Sequence, residues 1–150
     1  MCEINRILVV DDFEPFRSLV ASLLQGRNEW QIIAEATDGC EAVEKALELR
    51  PELILLDIGL PKINGIQAAR EIVRTSPQCK IIFLTQETSA DVVQEAVRLR
   101  ASGYVAKTRA QRDLIAAIEA VLAGRSFFSA GMIADNALHH DADQMDGGPN

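Results

Sequence analysis

The chain has 150 residues, 48% hydrophobic and only 5% aromatic, which is enough for one domain with a largely aliphatic core. Its formal charge of -7 argues against a sequence-independent grip on nucleic acid, which needs clustered Lys and Arg, yet leaves room for an acidic cluster that takes a metal cation. Cys2, Cys40 and Cys79 show neither metal-ligand spacing nor even pairing, MCEINRILVVDD has no signal-peptide pattern, and no apolar run approaches the roughly 20 residues of a membrane span, so a cytoplasmic chain with no membrane partner is expected.

In chain order, short apolar runs alternate with amphipathic ones. Residues 6–10 (RILVV) read as a strand, and Phe16, Val20, Leu23 and Leu24 then fall at helical spacing, with Pro15 suited to a first turn. A strand over 30–36 (WQIIAEA) precedes a helical segment at 38–50, for which Asp38 is a candidate N-cap. The run 53–56 (LILL) ends on Asp57, and a loop with Gly59, Pro61 and Gly65 leads into a helical pattern at 64–75, with Asn64 as candidate N-cap. Residues 80–84 (KIIFL) form the fourth strand, 88–101 a weaker helical pattern and 103–106 (GYVA) the fifth strand. Leu114, Ile118, Val121 and Leu122 define a last helix that Gly124 closes.

After Gly124 the composition changes. Residues 126–138 (SFFSAGMIADNAL) have room for one short helix, and 139–150 (HHDADQMDGGPN) are polar and expected to be disordered. The stretch 126–150 holds four acids (Asp135, Asp141, Asp143, Asp146) and no Lys or Arg, too short and too acidic for a DNA-binding domain. The expected organisation is one domain over 1–125 and a short C-terminal extension or truncated linker over 126–150.

The alternation makes this an α/β protein, a (βα)5 doubly wound parallel sheet with helices on both faces. Its working crevice is expected at the carboxyl ends of the strands. Polar residues follow four of those strands: Asp11 and Asp12 after the first, Asp57 after the third, Thr85 after the fourth and Lys107 after the fifth. Taken singly, each has an ordinary reading: the acids and Thr85 as caps or turns, Lys107 as a solvated charge. Jointly they make a site. Three carboxylates in one place repel one another unless a divalent cation joins them, and Mg²⁺ takes a few carboxylates plus water and phosphate oxygens. A carboxylate so placed can accept a phosphoryl group, with a lysine and a hydroxyl on its other oxygens.

The segments VVDDFEPFR, LLDIGLPKINGIQAAREI, IIFLTQE and GYVAKT, in this order, resemble the receiver domain of two-component response regulators over roughly residues 4–124. The resemblance implies a flavodoxin-like strand order 2-1-3-4-5. It implies Asp57 as the phosphoacceptor, fed from the phosphohistidine of a sensor histidine kinase or a phosphotransfer protein. Mg²⁺ would be held by Asp12 directly, by Asp11 in support, and by Asp57 and the Gly59 carbonyl. Thr85 would be the switch hydroxyl, Lys107 the phosphate-binding lysine and Tyr104 the switch aromatic, turning inward on activation. Gly59 and Glu87 flank the site and are candidates for tuning phosphate lifetime. Where many receivers carry a cis proline after the lysine, this chain has Thr108; the subfamily with LuxR-type helix-turn-helix outputs, which this sequence resembles in DIGLPKINGIQAAREI and GYVAKT, often lacks that proline. SFFSAGM resembles the start of that subfamily's linker, so a stand-alone receiver and a truncated regulator both stay open.

The implied device is a phosphorylation-activated switch that alters the 88–123 face toward a partner or a second copy, with no nucleic acid bound by this chain itself. Arg98, Arg100, Arg109 and Arg112 on that segment read either as partner contacts or as a solvated face. The alternative is a phosphorylation-independent binding module. A haloacid-dehalogenase-type phosphatase would need an acid two positions after Asp57, where Gly59 stands, so a turnover enzyme is not expected. A flavodoxin-type carrier would need a phosphate cradle where Asp11, Asp12 and Glu14 repel one.

Overall fold

The computed structural model describes residues 4–86, 90–99 and 101–129. Strands β1 (Asn5–Val10), β2 (Trp30–Ala36), β3 (Leu53–Leu56), β4 (Lys80–Thr85), β5 (Gly103–Ala106) and β6 (Phe127–Phe128) form one sheet in the order β2-β1-β3-β4-β5-β6. All its pairings are parallel. This is the doubly wound, flavodoxin-like 2-1-3-4-5 order with one strand added at the β5 edge.

Helices α1 (Glu14–Leu24), α2 (Gly39–Leu49), α3 (Gly65–Thr75), α4 (Ala90–Arg98) and α5 (Ala110–Leu122) connect the strands, with a 3-10 turn at Lys107–Arg109 before α5. Their starts follow local chemistry. Pro15 sits in the first turn of α1, where no amide is missed. Asp38 caps α2 by accepting from the Glu41 amide at 2.8 Å. Asn64 and Gln67 exchange side-chain-to-backbone hydrogen bonds of 2.9 Å each, a complete capping box on α3. Gly124, with φ of 89°, follows the end of α5. The fourth helix is shorter than the pattern over 88–101, and Thr88 and Ser89 lie outside the described residues.

Side chains alternate across the sheet. Leu8, Val10, Ile54, Leu56, Phe83 and Tyr104 face α2, α3 and α4. Ile7, Val9, Leu53, Leu55, Ile82 and Val105 face α1 and α5. β3 and β5 are buried at every position, which is why they carry unbroken apolar runs rather than alternating ones.

Two glycines let backbone meet backbone beside β3. A Cβ on Gly65 would stand 2.1 Å from the Asp57 carbonyl oxygen, and one on Gly39 would stand 2.0 Å from that of Ile63. The Gly39 amide also donates to Pro61 O at 3.3 Å. The start of α2 and the loop after β3 are thereby fastened together.

No periodic pattern announces β6: it has two residues, pairing Gly103 with Phe127 and Tyr104 with Phe128. The helix expected within 126–138 and the disorder expected over 139–150 fall on residues outside the described ones, apart from 126–129. Among the described residues no helix is long and apolar enough to cross a membrane.

Candidate functional site

Asp11 and Asp12 stand where β1 ends, Asp57 where β3 ends, Thr85 as the last residue of β4 and Lys107 directly after β5. Parallel register brings these ends to one edge, with Val10 beside Leu56 and Thr85 beside Ala106. The Asp11 amide donates to Ala36 O and the Asp57 amide to Val10 O, both at 3.0 Å, so the ladder continues into the acids and fixes their backbone. A cleft of about 550 Å³ opens there, lined by Asp12, Phe13, Asp57, Ile58, Gly59, Asn64, Thr85, Gln86 and Lys107.

Asp11 and Asp57 are buried, at 1% and 5% exposure, whereas Asp12 is exposed. One carboxylate oxygen from each of the three lies within 4.8 Å of the others. Lys107 Nζ is 2.7 Å from Asp11 Oδ2 and 3.3 Å from Asp57 Oδ2. The Gly59 amide donates to Asp57 Oδ1 at 3.2 Å, and the Phe13 amide to Asp11 Oδ1 at 2.8 Å. Burial first, and then the Asp11 charge, push the Asp57 carboxyl above its ordinary value, while Lys107 and the Gly59 amide pull the other way.

Magnesium is the cation the resemblance implies, and the residues fit it. The donors are hard oxygens, and the buried Asp11 Oδ2 accepts no hydrogen bond, its neighbour Lys107 making an ion pair instead.

Tyr104 is fully buried, 6.2 Å from Phe83 in a tilted pair and 6.5 Å from Phe128 in a near-parallel one. Its ring is thus packed against residues of β4 and β6. Arg98 pairs with Glu95 at 2.6 Å and Arg109 with Asp113 at 3.4 Å, both within the chain, and Arg112 is exposed. Cys2, Glu87 and Arg100 lie outside the described residues.

Sequence reasoning missed two neighbours of the site. Phe16, read only as a core-facing helical residue, puts its ring 4.7 Å from Lys107 Nζ, a cation–π contact. Arg17 donates from Nη1 to the Asp11 carbonyl at 2.8 Å and from Nε to Glu35 at 2.7 Å, bracing the acidic turn. A cationic side chain within two turns of an acidic doublet was the available signal for Arg17.

An α/β domain with this set of groups at its strand ends is chemically equipped to take a phosphoryl group onto a carboxylate. The chain belongs to the response regulator receiver domain family, whose model matches residues 7–119, and membership places it among phosphorylation-activated signalling domains. LnrK, a transcriptional regulatory protein of Bacillus subtilis (strain 168), is 37% identical over 119 residues, which cover 79% of this chain and 54% of that protein. The response regulator GacA of Pseudomonas viridiflava is 29% identical over 144 residues, covering 96% of this chain and 67% of that protein. The crystal structure of a LuxR-family two-component response regulator from Aurantimonas sp. SI85-9A1 aligns with a TM-score of 0.85 at 32% identity, over 92% of this chain and 99% of that one. The chain spans about half the length of LnrK and two thirds of GacA.

Proposed function

We propose that Asp57 is the phosphoacceptor of a two-component switch, charged by a sensor histidine kinase or a phosphotransfer protein in the cytoplasm. The observation that carries this reading is that Asp57 lines the cleft, with an oxygen of each of Asp11 and Asp12 within 4.8 Å of its own and Lys107 3.3 Å away. One Asp57 oxygen attacks phosphorus, the P–N bond to the donor imidazole breaks, and the imidazole leaves with the bonding pair. Asp11, Asp12, Asp57 and the Gly59 carbonyl would hold Mg²⁺, which supplies charge neutralisation on the transferring group. Lys107 turns from the acids to a phosphoryl oxygen, and the Thr85 hydroxyl donates to another.

The consequence is signalling rather than turnover. A new dianion draws Thr85 and Lys107 at the ends of β4 and β5, and the face of α4, β5 and α5 changes toward a partner or a second copy. The test is intact-mass analysis after incubation with acetyl phosphate and Mg²⁺. One phosphoryl adduct is expected on the chain and none on Asp57→Ala. No adduct, or an adduct that persists in Asp57→Ala, overturns the assignment.

A further inference from the structure

The outer edge of β5 is occupied, and by an unusual guest. A two-residue strand has little stability of its own. It is held at its first residue, where the Phe127 amide donates to Ser102 O at 3.0 Å, and just past its end, where the Ser129 amide donates to Tyr104 O at 2.9 Å. Ser129 is fully buried, and both functions of its hydroxyl are used. Ser129 Oγ accepts from the Ala106 amide at 3.2 Å and donates to Asp113 Oδ2 on α5 at 3.0 Å. A buried hydroxyl satisfied on both sides fixes one register for the segment rather than a loose apolar contact.

We propose that the β5 edge is a strand-accepting docking surface for this chain's own segment 127–129, and that its occupancy is coupled to the phosphorylation switch through Tyr104. The Phe128 ring lies at 10° to that of Tyr104 and forms one wall of its pocket. Docking therefore stabilises the inward position of Tyr104, and loss of docking removes that wall. The second link is covalent. Ser129 holds the amide of Ala106, and the next residue, Lys107, carries the ammonium beside Asp57. A phosphoryl group that draws Lys107 and favours inward Tyr104 tightens the docked segment. By reciprocity the docked segment raises affinity for the phosphoryl group by the same factor. The proposal rests on the phosphoacceptor reading of Asp57.

The test is hydrogen exchange on the whole chain with Mg²⁺, with and without beryllofluoride, a phosphoryl analogue. Beryllofluoride affinity is measured in parallel on wild type, Ser129→Ala and Phe128→Leu. At least about a fivefold slowing of the Phe127 and Ser129 amides is expected on beryllofluoride binding, the low end of typical couplings. Both variants should exchange fast at these amides and bind beryllofluoride at least about fivefold more weakly, with melting transitions that report an intact fold. Unchanged tail exchange, or unchanged affinity in a folded variant, while beryllofluoride still binds at Asp57, overturns the coupling alone. Failure of wild type to bind beryllofluoride, or binding equally well to Asp57→Asn, overturns the phosphoacceptor reading and this proposal with it.

Discussion

Lys107 stands nearer to Asp11 than to Asp57, its ammonium 2.7 Å from the first carboxylate and 3.3 Å from the second. The lysine thus neutralises two buried acids at once. Lys107→Met leaves those acids facing each other without a cation, and removing one partner of a buried pair is strongly destabilising. In magnesium-free urea melts at neutral pH a loss of about 3 kcal/mol, the low end for a broken buried pair, is expected. Added Mg²⁺ should restore more stability to the variant than it adds to wild type. An unchanged urea midpoint would show that the ion pair has no structural role.

The raised pKa of Asp57 sets a pH dependence with a definite sign. Folded Asp57 keeps its proton to higher pH than the unfolded chain does, because burial and Asp11 oppose its ionisation. Between the ordinary value of 3.8 and the raised folded value, stability therefore falls as pH rises, and the full penalty is present above that window. Asp57→Asn removes the penalty. A melting temperature a few degrees above wild type is expected at pH 7 without Mg²⁺, with the gain fading below the ordinary carboxylate range. Calorimetry across that range checks it, and a gain that grows in acid would reverse the assignment of cause.

Magnesium binding should read directly in stability. A ligand that binds only the folded chain stabilises it by about 2.7 kcal/mol at one hundred times its Kd. Wild type is expected to show a rising melting temperature over a Mg²⁺ titration. Because Asp12 is exposed, Asp12→Ala should melt like wild type without Mg²⁺ and lose most of the Mg²⁺-dependent rise. A variant that keeps the full rise would place the cation elsewhere.

Gly65 has no room for a side chain. Its Cβ would meet the Asp57 carbonyl oxygen at 2.1 Å and Ile58 Cα at 2.6 Å, both backbone atoms that cannot rotate away. Gly65→Ala is expected to lose about 3 kcal/mol, at the upper end of overpacking costs. It should also lower acetyl-phosphate labelling of Asp57 at temperatures where it remains folded. Denaturant melts and intact-mass kinetics measure the two effects separately.

The central fold was legible because buried parallel strands write themselves as unbroken aliphatic runs. The stretches 30–36, 53–56 and 103–106 coincide with β2, β3 and β5. The caps at Asp38 and Asn64 were legible because their side chains act on amides three residues away. The meeting of Asp11, Asp12, Asp57, Thr85 and Lys107 was legible because a parallel sheet sends every strand end to one edge. Phe16 under the lysine was not, since a residue on the core-facing stripe carries the same signature whatever it touches. Nor was β6, whose two residues are too few to show a period and whose hold depends on Ser129 meeting Asp113 on α5.

The backbone contacts at Gly39 and Gly65 divide the molecule's surface by what it can report. They tie Asp57 to the start of α3 and the loop after β3 to the start of α2, while Thr85 and Tyr104 lie on β4 and β5 and Lys107 directly follows β5. An antibody fragment raised against the outer faces of α2 and α3 should then recognise the charged and uncharged forms equally and serve as a loading control. One raised across β5 and β6 should tell them apart.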